Sequence, residues 1–156
     1  MTPHHIVLRA AEFGIDAIAI TDHNASANVV AALQAGERYG VKVFPGMEVE
    51  CLEEAHIVVL FDKMKQLVAW QKLVDSKMNG LPNDSNRFGA QFVVDEDDNF
   101  LREDERLLHA PLAMTAEEVV REVNALGGIA IAANIDRPSY SIIGQLGFIE
   151  TDFGFV

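Results

Sequence analysis

The sequence predicts an α/β domain with a mainly parallel sheet or barrel. Segments with helical spacing alternate with short apolar runs along the chain, which is the order typical of that fold class. The apolar runs lack a strict alternation of polar and apolar residues, as in strands that are buried on both faces. The 156 residues suffice for a single domain with a hydrophobic core, and we expect residues 1–156 to form one.

Four segments carry the signals of helices. Thr2 and Pro3 suit the N-cap and the first position of a helix that Gly14 ends. A capping box is formed by a threonine and a glutamate three residues apart, and this pattern at Thr115 begins another helix. The other two are a helix that Ser26 caps and Gly40 ends, and an apolar stripe along 63–78.

Strand signals are short runs rich in β-branched and other apolar residues. One of these runs is interrupted by Pro45 and Gly46, because proline cannot donate to a ladder of hydrogen bonds. Strands are expected at residues 15–20, 41–49 with this interruption, 56–61, 91–94 and 129–133.

Residues 79–112 are expected to form an inserted excursion from the main fold. It begins with the turn-rich segment 79–86 and contains the acidic run 95–99. The acidic run suggests calcium, but it lacks the glycine and the distal glutamate of an EF-hand loop. A solvated turn is therefore the favoured interpretation.

The composition predicts a cytoplasmic protein without a nucleic-acid or membrane partner. The formal net charge is −12, whereas binding along a phosphate backbone needs clustered lysine and arginine. A single cysteine excludes an internal disulfide, and we find neither a signal peptide nor an apolar run long enough to cross a bilayer. A small phosphorylated substrate stays compatible, since a bound divalent ion can invert the local field.

Polar residues lie at the ends of three of the predicted strands, where parallel α/β folds collect their functional groups. These positions are Asp22 with His23, Glu48, and the segment 134–137. His56 begins its strand, and it joins the same rim if that strand runs back antiparallel through a short connection. Histidine nitrogen and carboxylate oxygen are the ligands that zinc, manganese or iron use in hydrolytic sites.

Each of these residues also has a structural interpretation. Asp22 is a candidate helix cap, Glu48 a candidate surface acid and His56 a candidate buried imidazole with a satisfied partner. The adjacent His4 and His5 are expected to be solvent-facing residues of the first helix. Spacing alone therefore does not establish a site.

Residues 2–62 closely resemble the PHP family, the polymerase and histidinol phosphatase superfamily of metal-dependent phosphoesterases. Its second motif looks like residues 19–24, its third looks like residues 45–49, and a later family histidine matches His56. Further segments resemble a PHP subgroup with a long insert: residues 106–108, 127–130, 135–139 and 145–148.

The resemblance implies a distorted seven-stranded (β/α) barrel, of which this chain would form a part, with metal ions at its carboxyl rim. It implies hydrolysis of a phosphate ester by metal-activated water. Carried over by position, His23, Glu48 and His56 would be metal ligands, with Glu48 as a bridge between ions. Asp22 would be a catalytic residue that binds the metal or orients a ligand.

Two residues near residue 135 have more than one interpretation. Arg137 would be a catalytic residue that holds a substrate phosphate through its planar fork, or it would form a structural ion pair with Asp136. Asn134 stands where the subgroup has a histidine, and asparagine is a weak, neutral ligand for zinc-like metals.

The chain starts after the family's first motif, His-x-His, and stops before its closing Asp-x-His motif. We therefore expect a truncated domain that binds a divalent metal (Zn, Mn or Fe) with reduced occupancy or not at all. Its open sheet edges favour a homo-oligomer. Three functions stay open: a metal-dependent phosphoesterase, an inactive PHP-like domain for binding or assembly, and an accessory domain of a DNA polymerase. The acidic charge and the short chain disfavour the third.

Overall fold

A mixed four-stranded sheet is the centre of the molecule, as described by a computed structural model for residues 1–149 and 153–156. The helices are α1 (Pro3–Glu12), α2 (Val29–Tyr39), α3 (Met64–Lys77), α4 (Ser85–Phe88), α5 (Ala116–Ala125) and α6 (Ile142–Leu146). The strands are β1 (Ala17–Ile20), β2 (Lys42–Glu50), β3 (His56–Leu60), β4 (Phe92–Val94), β5 (Phe100–Glu103) and β6 (Ile129–Ala132). The α/β class is confirmed.

The order of strands in the main sheet is β1-β2-β3-β6. β1 pairs with β2 in parallel, whereas the β2–β3 and β3–β6 pairs are antiparallel, so the prediction of a mainly parallel sheet is wrong. For the β2–β3 pair the reason is the short connection at residues 51–55, because a parallel crossover needs about a dozen residues or more. In the described part of the chain the sheet is open, and it does not close into a barrel.

β2 runs without a break through Pro45 and Gly46, which contradicts the predicted interruption. Pro45 is in register with Ile20 of β1, and its carbonyl oxygen accepts a hydrogen bond from the Phe61 amide at 2.8 Å. Gly46 leaves little space for a side chain, since an added Cβ would lie 2.9 Å from a methyl group of Leu60. Pairing on both sides thus keeps the proline in a strand.

Local signals at the helix ends are mostly confirmed. The Thr2 hydroxyl accepts from the His5 amide at 3.5 Å, and Gly40 ends α2 in the left-handed conformation. Thr115 forms the expected capping box at the start of α5. Ser26 does not cap α2, because the helix begins at Val29, three residues after it, and has Asn28 at its N-cap.

The helices pack against one face of the sheet. On the two central strands the fully buried side chains are those of Met47, Val49, Ile57 and Val59. Successive side chains of a strand point to opposite faces. Glu48, Glu50 and His56 therefore lie together on the face that the helices leave uncovered, where the polar groups of the site are collected.

Gly36 lies where α2 packs closest to β2, and we expect Gly36→Ala to destabilise the protein. Its added Cβ would lie 2.6 Å from the Val41 carbonyl oxygen and 2.7 Å from a Val43 methyl group. Overpacking of this kind costs about 1–3 kcal/mol, which exceeds the gain of about 1 kcal/mol in helix propensity. Thermal unfolding is the measurement. Gln34→Ala, on an exposed position of the same helix, is the control, and an unchanged or higher Tm for Gly36→Ala would contradict this packing.

Residues 79–112 leave the main sheet, as predicted, and contain the separate β4–β5 hairpin. The acidic run is the turn of this hairpin, and Asp95 accepts hydrogen bonds from Asn99 there. β5 and the short helices α4 and α6 have no counterpart in the sequence-based prediction. Residues 79–112 are called the excursion.

The excursion also contacts the first helix. His5 is exposed and lies 2.9 Å from the Asp98 carboxylate, as a solvent-facing residue can. His4 is only partly exposed, which differs from the prediction, because its two ring nitrogens bond to Tyr39 and to the Glu96 carbonyl. The two histidines thus connect α1 to the hairpin turn.

A buried carboxylate at Asp104 anchors the base of the hairpin. Its oxygens accept from Arg106 Nε at 2.8 Å and from Nη2 at 2.7 Å, and Arg106 also bonds to Asp75 of α3. The hydrogen bonds from Arg106 hold the pKa of Asp104 below its usual value. A carboxylate with a depressed pKa in the folded state stabilises the protein above its unfolded pKa of about 3.9. This contribution is lost as the pH falls through the folded pKa.

We therefore expect Asp104→Asn to lower the free energy of unfolding by about 1–3 kcal/mol at neutral pH, where the charge-assisted bonds are complete. The difference between variant and wild type should shrink as the pH falls below about 4. Urea unfolding across this pH range is the measurement. Asp97→Asn is the matched control, since Asp97 pairs with Arg38 on the surface, and such pairs contribute about 0–1 kcal/mol. Equal losses in the two variants would refute the anchoring role.

Candidate metal site

His23 and Glu48 lie opposite each other on two adjoining chain segments. The parallel register of β1 and β2 continues beyond Ile20, so that His23 forms a bridge with Glu48. The Asn24 amide donates to the Glu48 carbonyl at 2.8 Å, and the Glu48 amide donates to the Asp22 carbonyl at 3.2 Å. Backbone pairing therefore fixes both side chains at the carboxyl end of β1.

His56 reaches the same place because β3 returns antiparallel to β2, as the short connection predicted. In this register His56 is paired with Glu50. Its Nδ1 lies 3.1 Å from Glu48 Oε1, and its Nε2 lies 3.9 Å from Glu50 Oε2. The imidazole is thus held between two carboxylates on the uncovered face of the sheet.

The three side chains fit a divalent metal ion. One ligand atom from each of His23, Glu48 and His56 can be chosen so that all three lie within 4.8 Å of one another. Ligand atoms of one ion with bonds of about 2.0–2.2 Å lie roughly 3–3.6 Å apart. The separation of 3.1 Å between Glu48 and His56 falls in that range. Nitrogen and carboxylate oxygen suit zinc, manganese and iron alike, so the donor set does not select one of them.

The electrostatics of the cluster favour the protonation states that a metal needs. Burial lowers the pKa of His23, which favours the neutral imidazole. The hydrogen bond with His56 lowers the pKa of Glu48 and keeps this side chain anionic. Burial raises the pKa of Glu50, the carboxylate on the far side of His56. Glu48 is therefore the anionic member of the cluster.

The other predicted site residues lie around this cluster. Asp22 is not in the group of three, and its carboxylate accepts from the Asn28 side chain at 3.1 Å. Asn134 lies beside the cluster, with its amide nitrogen 3.4 Å from His56 Nδ1. Arg137 is exposed in the turn after β6, and no ion pair joins it to Asp136, both of which the structure describes.

Three further residues near the site were not predicted from the sequence. Glu50 lies near His56, Tyr140 stacks on the His56 ring with centroids 4.7 Å apart, and His109 lies 4.4 Å from the His23 ring. His109 and Tyr140 come from the excursion and from the loop after β6, far along the chain. Their only sequence signal was a histidine in the predicted excursion and a tyrosine after the last predicted strand.

The excursion and the end of β1 enclose a cavity of about 320 Å³. Asp22, His23 and Asn28 line one side of it, whereas Phe92 and His109 line the other. Among the candidate ligands, His23 therefore borders a space in which a substrate group of moderate size could lie.

The model of the PHP domain family matches residues 1–108. The chain belongs to the PHP domain family. The family that the Thr-Asp-His and Gly-Met-Glu motifs predicted is thereby confirmed. In this PHP domain the matched part includes all three candidate ligands and most of the excursion.

Several known proteins are similar to this PHP domain. A DNA polymerase III of PolC type from Caldanaerobacter subterraneus subsp. tengcongensis is 35% identical over 78 residues, which are 50% of this chain and 6% of the polymerase. A protein from Bifidobacterium adolescentis assigned as a metal-dependent phosphoesterase has a similar structure, with a TM-score of 0.59 and 16% identity over 97% of this chain and 66% of that one.

Endonuclease Q, in complex with a 27-mer duplex with an abasic lesion at the active site, gives a TM-score of 0.64. It is 17% identical, and the match covers 99% of this chain and 35% of Endonuclease Q. At these identities the likeness of the two structures concerns the fold. None of the described helices of this chain is long and apolar enough to cross a membrane.

The comparisons overturn the predicted partners. The net charge argued against a nucleic-acid surface and left a small phosphorylated substrate as the expected partner of an active enzyme, whereas the similar proteins include a DNA polymerase and a DNA-bound endonuclease. The prediction failed because a net charge of −12 is a sum over the whole surface, while recognition depends on the local field at a site.

Proposed function

We propose that this PHP domain binds a divalent metal ion through His23, Glu48 and His56 and hydrolyses phosphodiester bonds of a nucleic acid. The observation that carries the proposal is the convergence of the three ligand atoms beside a cavity at a strand end. A divalent ion in such a place acidifies water and polarises a phosphoryl oxygen. The nucleic-acid substrate is inferred from the polymerase and the endonuclease that the chain resembles.

In this proposal the site residues have different roles. Glu48 supplies the negative charge, and the two imidazoles supply neutral donors on either side of it. Asp22 lines the cavity and is held by Asn28, so it would orient water or a ligand there. Arg137, exposed in the turn next to Asn134, would bind a phosphate through two parallel hydrogen bonds. We propose that the four-stranded sheet that carries these groups corresponds to part of a PHP-type barrel.

A second candidate function is that of an inactive PHP domain that binds nucleic acid or assists assembly. Asn134 supports it, because a neutral amide lies beside His56 where an additional ligand would strengthen a metal site. The two functions differ in one outcome: both allow metal binding, but only the first leads to hydrolysis.

Cleavage of labelled oligonucleotides tests the first function. Purified protein is incubated with single-stranded and duplex DNA, one duplex with an abasic position, in the presence of Mn²⁺, Zn²⁺ or Fe²⁺. We expect metal-dependent cleavage by the wild type and none by Glu48→Ala, with Glu37→Gln as a surface control. Bound metal without cleavage of any substrate would favour the inactive domain. Cleavage that persists in Glu48→Ala would show that the catalytic site lies elsewhere.

A further inference from the structure

Asn24 ties the excursion to the end of β1. This side chain is completely buried, and its Nδ2 donates to the carbonyl oxygens of Leu108 and Ala110, at 2.8 Å each. The two acceptors flank His109. Asn24 itself follows His23 in the chain and has a φ of 50°, a left-handed conformation that asparagine tolerates better than most residues. The backbone around His109 is therefore fixed by the neighbour of a candidate ligand.

The fixed backbone places the His109 ring next to that of His23. The ring centroids are 4.4 Å apart and the planes are inclined by 53°. The centroids of His23 and His56, both in the ligand group, are 4.8 Å apart. Two imidazoles that share one ion with bonds of about 2.0–2.1 Å have centroids roughly 4.5–5.2 Å apart. The spacing of His109 from His23 is thus close to that of two ligands of the same ion.

The His109 side chain is exposed and lines the cavity. In the described part of the chain, no protein group is hydrogen-bonded to its ring nitrogens, which leaves both of them available to a ligand in the cavity.

We infer that His109 is an additional metal ligand, which the excursion contributes on the cavity side of His23 and which Asn24 positions. His109 lies outside the compact group of three, so its ring has to turn about its side-chain bonds to aim a nitrogen at the ion. Its exposed position allows this turn. The excursion thus has a function in this domain, since it carries a donor to a site whose other ligands come from the sheet. His109 has this role only if the metal site proposed above exists.

Metal affinity measured by competition with a chromophoric chelator tests the inference, with Zn²⁺ and Co²⁺ as probes. We expect His109→Ala to weaken binding by roughly tenfold to 100-fold, the range for residues that tune a metal site. His5→Ala, which removes another exposed histidine far from the cavity, should bind as tightly as the wild type. His23→Ala should lose more affinity than His109→Ala, because His23 belongs to the compact ligand group.

A cysteine variant gives a second, spectroscopic readout. In His109→Cys loaded with Co²⁺, a coordinating thiolate should produce a sulfur-to-cobalt charge-transfer band in the near ultraviolet. The wild type is the control for the natural thiol, since Cys51 is completely buried and burial raises its pKa to about 12.

The outcomes separate the inference from the proposed function. One outcome refutes the role of His109 and leaves the three-ligand site standing. In this outcome the wild type binds metal, His23→Ala abolishes binding, and His109→Ala binds as tightly as the wild type. The His109→Cys protein then shows no charge-transfer band. If the wild type binds neither probe ion, the proposed function and the inference both fail. Weakened binding in His109→Ala together with the band would establish His109 as a ligand.

Discussion

Replacing Glu48 by glutamine is expected to reduce the affinity for divalent metal by more than 100-fold, beyond the 10–100-fold typical of groups that only support a ligand. Glutamine keeps the shape of the side chain but removes the single negative charge between His23 and His56. The hydrogen bond with His56 holds the pKa of Glu48 below its usual value, so the wild-type carboxylate is ionised at neutral pH. A neutral amide oxygen is a poor ligand for zinc-like ions.

Isothermal titration with Zn²⁺ or Mn²⁺ is the measurement. Glu37→Gln, on the exposed side of α2, makes the same change of charge away from the site and should leave the affinity unchanged. Circular dichroism should show the same fold in all three proteins. A Glu48→Gln protein that binds metal as tightly as the wild type would mean that the three side chains do not form the metal site.

Trp70→Ala should produce the largest loss of stability. Trp70 of α3 is completely buried in the core between the helices and the sheet. Truncation of a buried tryptophan to alanine typically costs about 3–5 kcal/mol, from lost apolar burial and the cavity left behind. This loss is comparable to a large part of the stability of a small domain, about 5–15 kcal/mol.

Trp70→Phe separates the contribution of the buried aromatic ring from that of the indole N–H group. Its indole Nε1 is buried and has no hydrogen-bond partner in the described part of the chain. An unpaired buried donor costs about 1–3 kcal/mol, so its removal should offset part of the stability that is lost with the larger indole ring. We expect Trp70→Phe to lose clearly less stability than Trp70→Ala.

Urea unfolding followed by far-ultraviolet circular dichroism checks these values, because the chain has one tryptophan and the variants lack its fluorescence. Val68→Ala on the exposed side of α3 is the control and should change stability by less than about 0.5 kcal/mol. A Trp70→Ala protein as stable as this control would contradict the described core.

Features that depend on neighbouring residues could be predicted from the sequence. Thr2 with Pro3, Gly40 and the capping box at Thr115 mark helix ends through contacts within a few residues. The Thr-Asp-His and Gly-Met-Glu motifs indicated the family for the same reason, since each is a short run of consecutive residues. His56 was placed correctly because a connection of five residues allows only an antiparallel return.

Features that depend on contacts between distant segments could not be predicted. Pro45 looks like a break in a strand, yet β1 on one side and Phe61 on the other keep it in the sheet. The sequence predicted a parallel sheet from the alternation of elements, but β6 pairs antiparallel with β3 after a long excursion. Net charge gave the wrong partners, because it contains no information about where charges lie.

The sequence by itself determined the family, the helix ends and the three candidate metal ligands, since these follow from local motifs and from one short connection. Only the tertiary structure decided the mixed order of the sheet, the cavity and the position of His109 against His23. The physical reason is that a side chain in an excursion is positioned by hydrogen bonds to a distant residue. Here Asn24 provides them through the carbonyls of Leu108 and Ala110, and no spacing along the chain records that contact.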